Sequence, residues 1–193
     1  MYTINDPIQR ARTLFGSRTG VVHGEIRRTY AELGERIDRV GALMRQLTEP
    51  GDRVALWSLN SDKFLELFFG IPISGRVIVP HNTRWAQPEL VYATEDAGAK
   101  VLICDRDPGG LAASVDRVIR LDTDEYESLL AGVSIDDPMS DVRIAPDTLA
   151  GLFYTGGTTG AAKGVMLTHA NLMANAVQVQ LAQPILDDDR YLT

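Results

Sequence analysis

Short apolar runs alternate with helical segments through the middle of this chain, and that alternation leaves few architectures open. Residues 54–59, 77–80, 100–105 and 118–121 read as strands, rich in valine, leucine and isoleucine. Residues 62–70, a segment begun by Pro88 and closed by Gly98, and residues 124–130 read as helices between them. Strands that are apolar along their whole length and separated by helices predict an α/β fold, a mostly parallel sheet flanked by helices on both faces. Segment 62–70 is apolar almost all round, with Phe64, Leu65, Leu67, Phe68 and Phe69, so it is expected to be buried. Pro72 lacks an N–H and is expected to end or kink that helix.

The flanks follow the same logic. Residues 7–15 read as a helix, and 21–23 with 27–29 as a short hairpin turning at Gly24. Tyr30, Leu33, Ile37, Val40, Met44 and Leu47 recur at spacings of three and four, which predicts an amphipathic helix. Thr29 and Glu32 fit a capping box at its start, and Pro50-Gly51 a stop. Residues 136–147 hold two prolines and four aspartates and read as a surface connection. Residues 149–154 form a strand that runs into a loop, 165–167 are strand-like, and Thr168 can cap a last helix over about 170–181. There is no internal repeat or long linker. We expect residues 1–147 to form a first α/β subdomain and 148–193 a loop segment with the start of a second.

Composition narrows the partners. The net charge is −7 with basic residues scattered among acids, so the basic face that nucleic acid requires is missing. The single cysteine, Cys104, falls inside a strand and is expected to be a buried structural residue. The first residues lack a basic start followed by an apolar core, and no apolar run approaches a membrane span, so no signal peptide and no transmembrane segment are expected and the chain reads as cytoplasmic.

Residues 154–164 read Tyr-Thr-Gly-Gly-Thr-Thr-Gly-Ala-Ala-Lys-Gly, with four glycines, three threonines and one lysine. Each type suits phosphate oxygens. Glycines let consecutive N–H groups converge on one anion, threonine hydroxyls donate, and lysine supplies a mobile positive charge. The chain contains 16 arginines and only 3 lysines, so a lysine in this position is informative. A plain hairpin turn is the structural alternative. A Walker A loop is excluded by order, since it needs Gly-Lys-Ser/Thr and opens a helix, whereas Lys163 is followed by Gly164 and leads into a strand. No Gly-x-Gly-x-x-Gly follows an early strand.

At these residues the chain resembles the adenylate-forming superfamily, which contains acyl- and aryl-CoA synthetases, peptide-synthetase adenylation domains and firefly luciferase. The family loop reads Tyr-Thr-Ser-Gly-Thr-Thr-Gly-x-Pro-Lys-Gly-Val, against Tyr154 to Val165 here. Thr29-Tyr30-Ala31-Glu32-Leu33, Gly51-Asp52-Arg53-Val54-Ala55, the 69–80 segment followed by Asn82, and Leu167-Thr168-His169-Ala170-Asn171-Leu172 resemble further family motifs. Gly156 stands where serine is usual, Ala162 where proline is usual, and Pro72-Ile73-Ser74 where Leu-Lys-Ala is usual.

The resemblance implies the N-terminal portion of an acyl-CoA synthetase-like large domain, nearest a bacterial fatty-acid–CoA ligase of fatty acid metabolism. Family members are longer, so the chain is expected to be a fragment without the C-terminal subdomain. The implied reaction is an acid–thiol ligase reaction: ATP and a carboxylic acid give acyl-AMP and pyrophosphate, then coenzyme A takes the acyl group. Thr155, Gly156, Gly157, Thr158, Thr159, Gly160 and Lys163 are implied to bind the β- and γ-phosphates, with Thr158 near Mg2+. No catalytic residue is assigned, because the family's catalytic lysine and its CoA site are expected beyond Thr193. The fragment alone is expected to be inactive, to bind ATP weakly, and to form homo-oligomers through a face exposed by truncation. Another adenylate-forming enzyme (a peptide-synthetase adenylation domain or a fatty acyl-AMP ligase) and a non-catalytic nucleotide-binding or interaction module are the alternatives. His23, His81 and His169, Trp57 and Trp85, and Asp187-Asp188-Asp189 are expected to be structural or solvated rather than functional.

Overall fold

A computed structural model describes residues 2–135, 144–156, 161–183, 186 and 189–191. The chain opens with α1 (Asn5–Phe15) and a two-stranded antiparallel hairpin, β1 (Thr19–His23) and β2 (Ile26–Thr29). There follow α2 (Tyr30–Leu47), β3 (Arg53–Trp57), α3 (Asp62–Ile73), β4 (Val77–Pro80), α4 (Gln87–Ala97) and β5 (Ala99–Cys104). After a 3₁₀ turn at Gly109–Ser114 come β6 (Arg117–Arg120), α5 (Glu125–Ala131), β7 (Leu149–Thr155), β8 (Lys163–Thr168) and α6 (His169–Ala182). Six strands form one sheet in the order β6-β5-β3-β4-β7-β8, parallel except for β8, which runs antiparallel to β7 at the edge. The mostly parallel sheet flanked by helices is therefore present.

The strands sort their side chains by alternation. Val54 and Leu56 face a core built with Val40, Leu43 and Met44 of α2, Leu67 and Ile71 of α3, and Tyr126 and Leu130 of α5. Ala55 and Trp57 face the opposite way, onto Leu90 of α4 and Leu111 of the 3₁₀ turn. Helices thus cover both faces, as continuous apolar strands require.

Local signals hold closely. Thr29 Oγ1 accepts from Glu32 N while Glu32 Oε2 accepts from Thr29 N, completing the capping box of α2. Thr168 caps α6 in the same way, with Asn171 in the place of Glu32. Gly98 ends α4 at φ 62°, a left-handed conformation that glycine adopts without a Cβ penalty.

Two expectations need correction. Pro72 does not itself end α3 but lies in its last turn, one residue before the end at Ile73, where its missing N–H removes a single bond; Ser74 and Gly75 close the helix by donating to Ile71 O and Pro72 O. The burial of α3 is also inverted in part: Glu66 and Asp62 are interior at 0% and 2% exposure, while Phe64 and Phe68 are only partly buried. The helix turns its acidic residues toward arginines of α2 and β2. The 3₁₀ turn was not anticipated. Of the connection at 136–147, residues 136–143 lie outside the described residues.

α2 and α3 approach most closely at Gly70. A Cβ there would sit 2.5 Å from both Cβ and Cγ1 of Val40 and 3.0 Å from Ile37 O. Alanine is the better helix former by about 1 kcal/mol, but overpacking a rigid contact costs up to about 3 kcal/mol. Gly70→Ala is expected to lower stability by about 2 kcal/mol net in urea titration, and a stabilised variant would contradict this close packing.

Candidate functional site

β7 runs parallel to β4, so its C-terminal end at Thr155 lies at the edge of the sheet where β3 and β4 also end. Ligands of open α/β sheets bind beyond that edge. β7 and β8 pair from Leu149↔Thr168 to Thr155↔Lys163, so the stem of the glycine–threonine loop is a regular antiparallel ladder. The last pair sets Thr155 and Lys163 opposite one another on the same face of the ladder, both exposed. Gly156 follows β7 and is exposed, with open space where a Cβ would stand. Gly157, Thr158, Thr159 and Gly160 lie outside the described residues, and so does the expected metal-side role of Thr158.

A cleft of about 350 Å³ separates the loop stem from the front of α4. Gly156, Ala161 and Ala162 form one wall, and Trp85, Pro88, Glu89 and Tyr92 the other. Trp85 was expected to be edge packing, and it borders this cleft. Its position just beyond β4, at the C-terminal edge of the sheet, is the signal that could have pointed to it. Glu89 also supports the helix, since Oε2 accepts from Ala86 N at 2.9 Å.

A hydroxyl, an adjacent ammonium and open glycine backbone suit an oxyanion such as phosphate. Among the described residues no group of three or more His, Cys, Asp or Glu could hold a metal ion.

The three histidines separate. His169 is fully buried at the start of α6; its Nδ1 accepts from Ile4 N at 3.5 Å, and burial holds its pKa below the usual range. His23 is half-exposed and bonds Asp62 Oδ1 at 3.0 Å through Nδ1, while Arg28 grips Asp62 Oδ2 at 2.9 Å. His81, expected at the surface or core edge, is buried at 5% exposure. Its Nε2 lies 2.7 Å from Thr94 Oγ1, whose own proton goes to Leu90 O at 2.8 Å, so Nε2 must be the donor. Nδ1 is then a bare acceptor with no hydrogen-bond partner. Cys104 is fully buried, and burial pushes its thiol pKa up, as a structural cysteine requires. Trp57 is buried in the α4-side core. Of the three C-terminal aspartates only Asp189 is described, and its carboxylate accepts from Leu186 N at 2.8 Å. Among the described residues no helix is long and apolar enough to cross a membrane.

Comparison with known proteins gives the family and the fold. The chain is 37% identical over 189 residues to a feruloyl-CoA synthase from Amycolatopsis sp, covering 96% of this chain and 37% of that protein. It is 34% identical over 165 residues to a long-chain-fatty-acid–CoA ligase of Mycobacterium tuberculosis, covering 79% of this chain and 32% of that one. Among solved structures, the N-terminal domain of FACL13 from Mycobacterium tuberculosis superimposes with a TM-score of 0.83 at 28% identity, over 99% of this chain and 49% of that domain. The chain thus spans about a third of the length of these enzymes. The model of the AMP-binding enzyme family matches residues 8–193, and the chain belongs to that family.

Proposed function

We propose that this chain is the N-terminal portion of an ATP-dependent acid–thiol ligase, and that its β7–β8 loop holds the β- and γ-phosphates of ATP. The observation that supports this is the cross-strand pairing of Thr155 with Lys163, a hydroxyl residue opposite a cationic one, at the C-terminal edge of the parallel strands, where ligands of such sheets bind. When bound, ATP supplies an α-phosphate open to attack by a carboxylate, with pyrophosphate as the leaving group. The residues of this chain orient that leaving group and offset its charge. Lys163 neutralises, Thr155 donates a hydrogen bond, and Gly156 permits close approach. Such fixed donors and charges lower the barrier by positioning and electrostatics rather than by covalent chemistry. Mg2+ is proposed as the counter-ion and coenzyme A as the acyl acceptor, the latter because the relatives are named as CoA synthases and ligases. No residue here is assigned to coenzyme A.

Titration of the chain with inorganic pyrophosphate tests the loop directly. Binding is expected, and Lys163→Ala should weaken it about tenfold, the loss of one charge-assisted contact. Equal affinity of the variant and the parent chain would remove Lys163 from the site.

A further inference from the structure

The stem of the loop carries a second residue pair, one step back from Thr155 and Lys163. Tyr154 of β7 faces Gly164 of β8. Its ring lies so close over that glycine that a Cβ there would stand 3.1 Å from Cζ, 3.2 Å from Cε2 and 3.3 Å from the hydroxyl oxygen. Lying across the glycine, the ring carries its hydroxyl to α4, where it donates to Asp96 Oδ2 at 2.5 Å. Side chains alternate along a strand, so Tyr154 and Gly164 lie on the opposite face from Thr155 and Lys163.

We propose that Tyr154, Gly164 and Asp96 form a clasp that fixes the loop stem to α4 and thereby sets the spacing and aim of Thr155 and Lys163 toward the phosphates. Tyr154 and Asp96 are positioning residues, and Gly164 is the seat that lets the ring pass. The inference rests on the loop being the phosphate site. Among the described residues β8 is an edge strand laddered to β7 alone, so the clasp adds a tie between the stem and α4 that the sheet does not supply. The bond lies near the cleft: Tyr92, one turn before Asp96 on α4, borders it with Gly156 and Ala162. Burial, and then Asp96, push the phenol pKa above its ordinary value, so Tyr154 remains a donor throughout the neutral range.

The test combines amide hydrogen exchange of residues 154–155 and 163–164 with pyrophosphate titration, on the parent chain and five variants. Tyr154→Phe keeps the ring and is expected to speed exchange at those amides about fivefold or more, with amides of β3 and β5 unchanged. It should also weaken pyrophosphate binding about threefold to tenfold. Asp96→Ala should match it, and the double variant should be no worse than either single one, because both remove the same bond. Asp96→Asn keeps an acceptor oxygen and should restore both readouts. Gly164→Ala should displace the ring and reproduce the Tyr154→Phe behaviour with the hydroxyl intact. Unchanged exchange in Tyr154→Phe overturns the clasp. Faster exchange with unaltered pyrophosphate affinity overturns its positioning role. If the parent chain binds pyrophosphate and Tyr154→Phe binds equally well, the phosphate site stands and this inference alone fails; if the parent chain does not bind, both fall.

Discussion

Replacing Arg36 with leucine is expected to cost the fold about 3–5 kcal/mol, the penalty of leaving a buried charge without its partner. Arg36 projects from α2 and grips two carboxylates at once. It meets Glu66 of α3 at 2.5 and 2.8 Å, and Glu127 of α5 at 2.9 and 3.0 Å. Glu66 is fully buried and also accepts from the hydroxyl of Tyr126, itself fully buried, at 2.5 Å. Burial pushes the Glu66 carboxyl above the usual range, and Arg36 and Tyr126 pull it only part of the way back. Burial likewise works against the Arg36 charge, yet the two carboxylates hold its proton more tightly than in water. Removing the guanidinium leaves Glu66 in an apolar helix interface with a single phenolic donor. Urea unfolding of Arg36→Leu should show a lowered midpoint with the slope unchanged. The double variant Arg36→Leu/Glu66→Leu should regain most of the loss, since a packed apolar pair often replaces a buried ion pair without penalty. A loss below about 1 kcal/mol in the single variant would mean that the network does not hold α2, α3 and α5 together.

A second large effect is expected on acidification, and it centres on His81. Burial lowers its pKa from 6.5 to about 4 in the folded chain. The unfolded imidazole therefore takes up a proton at a pH where the folded one does not. Acid favours the unfolded chain, so stability falls as pH drops below about 6.5 and the loss levels off below about 4. A difference of this size corresponds to about 3 kcal/mol. His81→Leu removes the titration along with the unpartnered Nδ1, and Thr94 keeps its bond to Leu90 O. Denaturant unfolding of both proteins between pH 7 and pH 4 should show the parent chain losing about 3 kcal/mol more than the variant. His169, shifted the same way by burial, cancels in that difference. Parallel pH profiles for the two proteins would show that His81 is not held neutral.

Both effects depend on side chains whose surroundings are remote in sequence, and this marks what could be read beforehand. The capping boxes at Thr29 and Thr168, the left-handed stop at Gly98 and the heptad-like stripe of α2 involve partners three or four residues apart, so the chain announces them locally. The phosphate character of the loop was legible for the same reason, because glycine, threonine and lysine carry that chemistry wherever they are placed. The face that α3 presents was not legible. Five apolar residues in 62–70 pointed to an apolar interior contact, and only the arrival of Arg36 and Tyr126 makes an interior position tolerable for Glu66. His81 is similar: it follows a strand, and its burial depends on α4 folding over it, 13 residues later.

The order of helices and strands and the parallel α/β class were readable from the sequence alone, because each follows from short-range spacing; the proposed phosphate role of the loop rests on its residue chemistry. The tertiary structure was needed to show that Thr155 and Lys163 stand opposite one another, that Trp85 and Tyr92 border a cleft with Gly156, and that Tyr154 reaches Asp96. Those outcomes depend on strand register and on which helix packs beside which strand. Register follows from which face of a strand is buried and from the turn that joins the strands, and the burial is decided by helices remote in sequence.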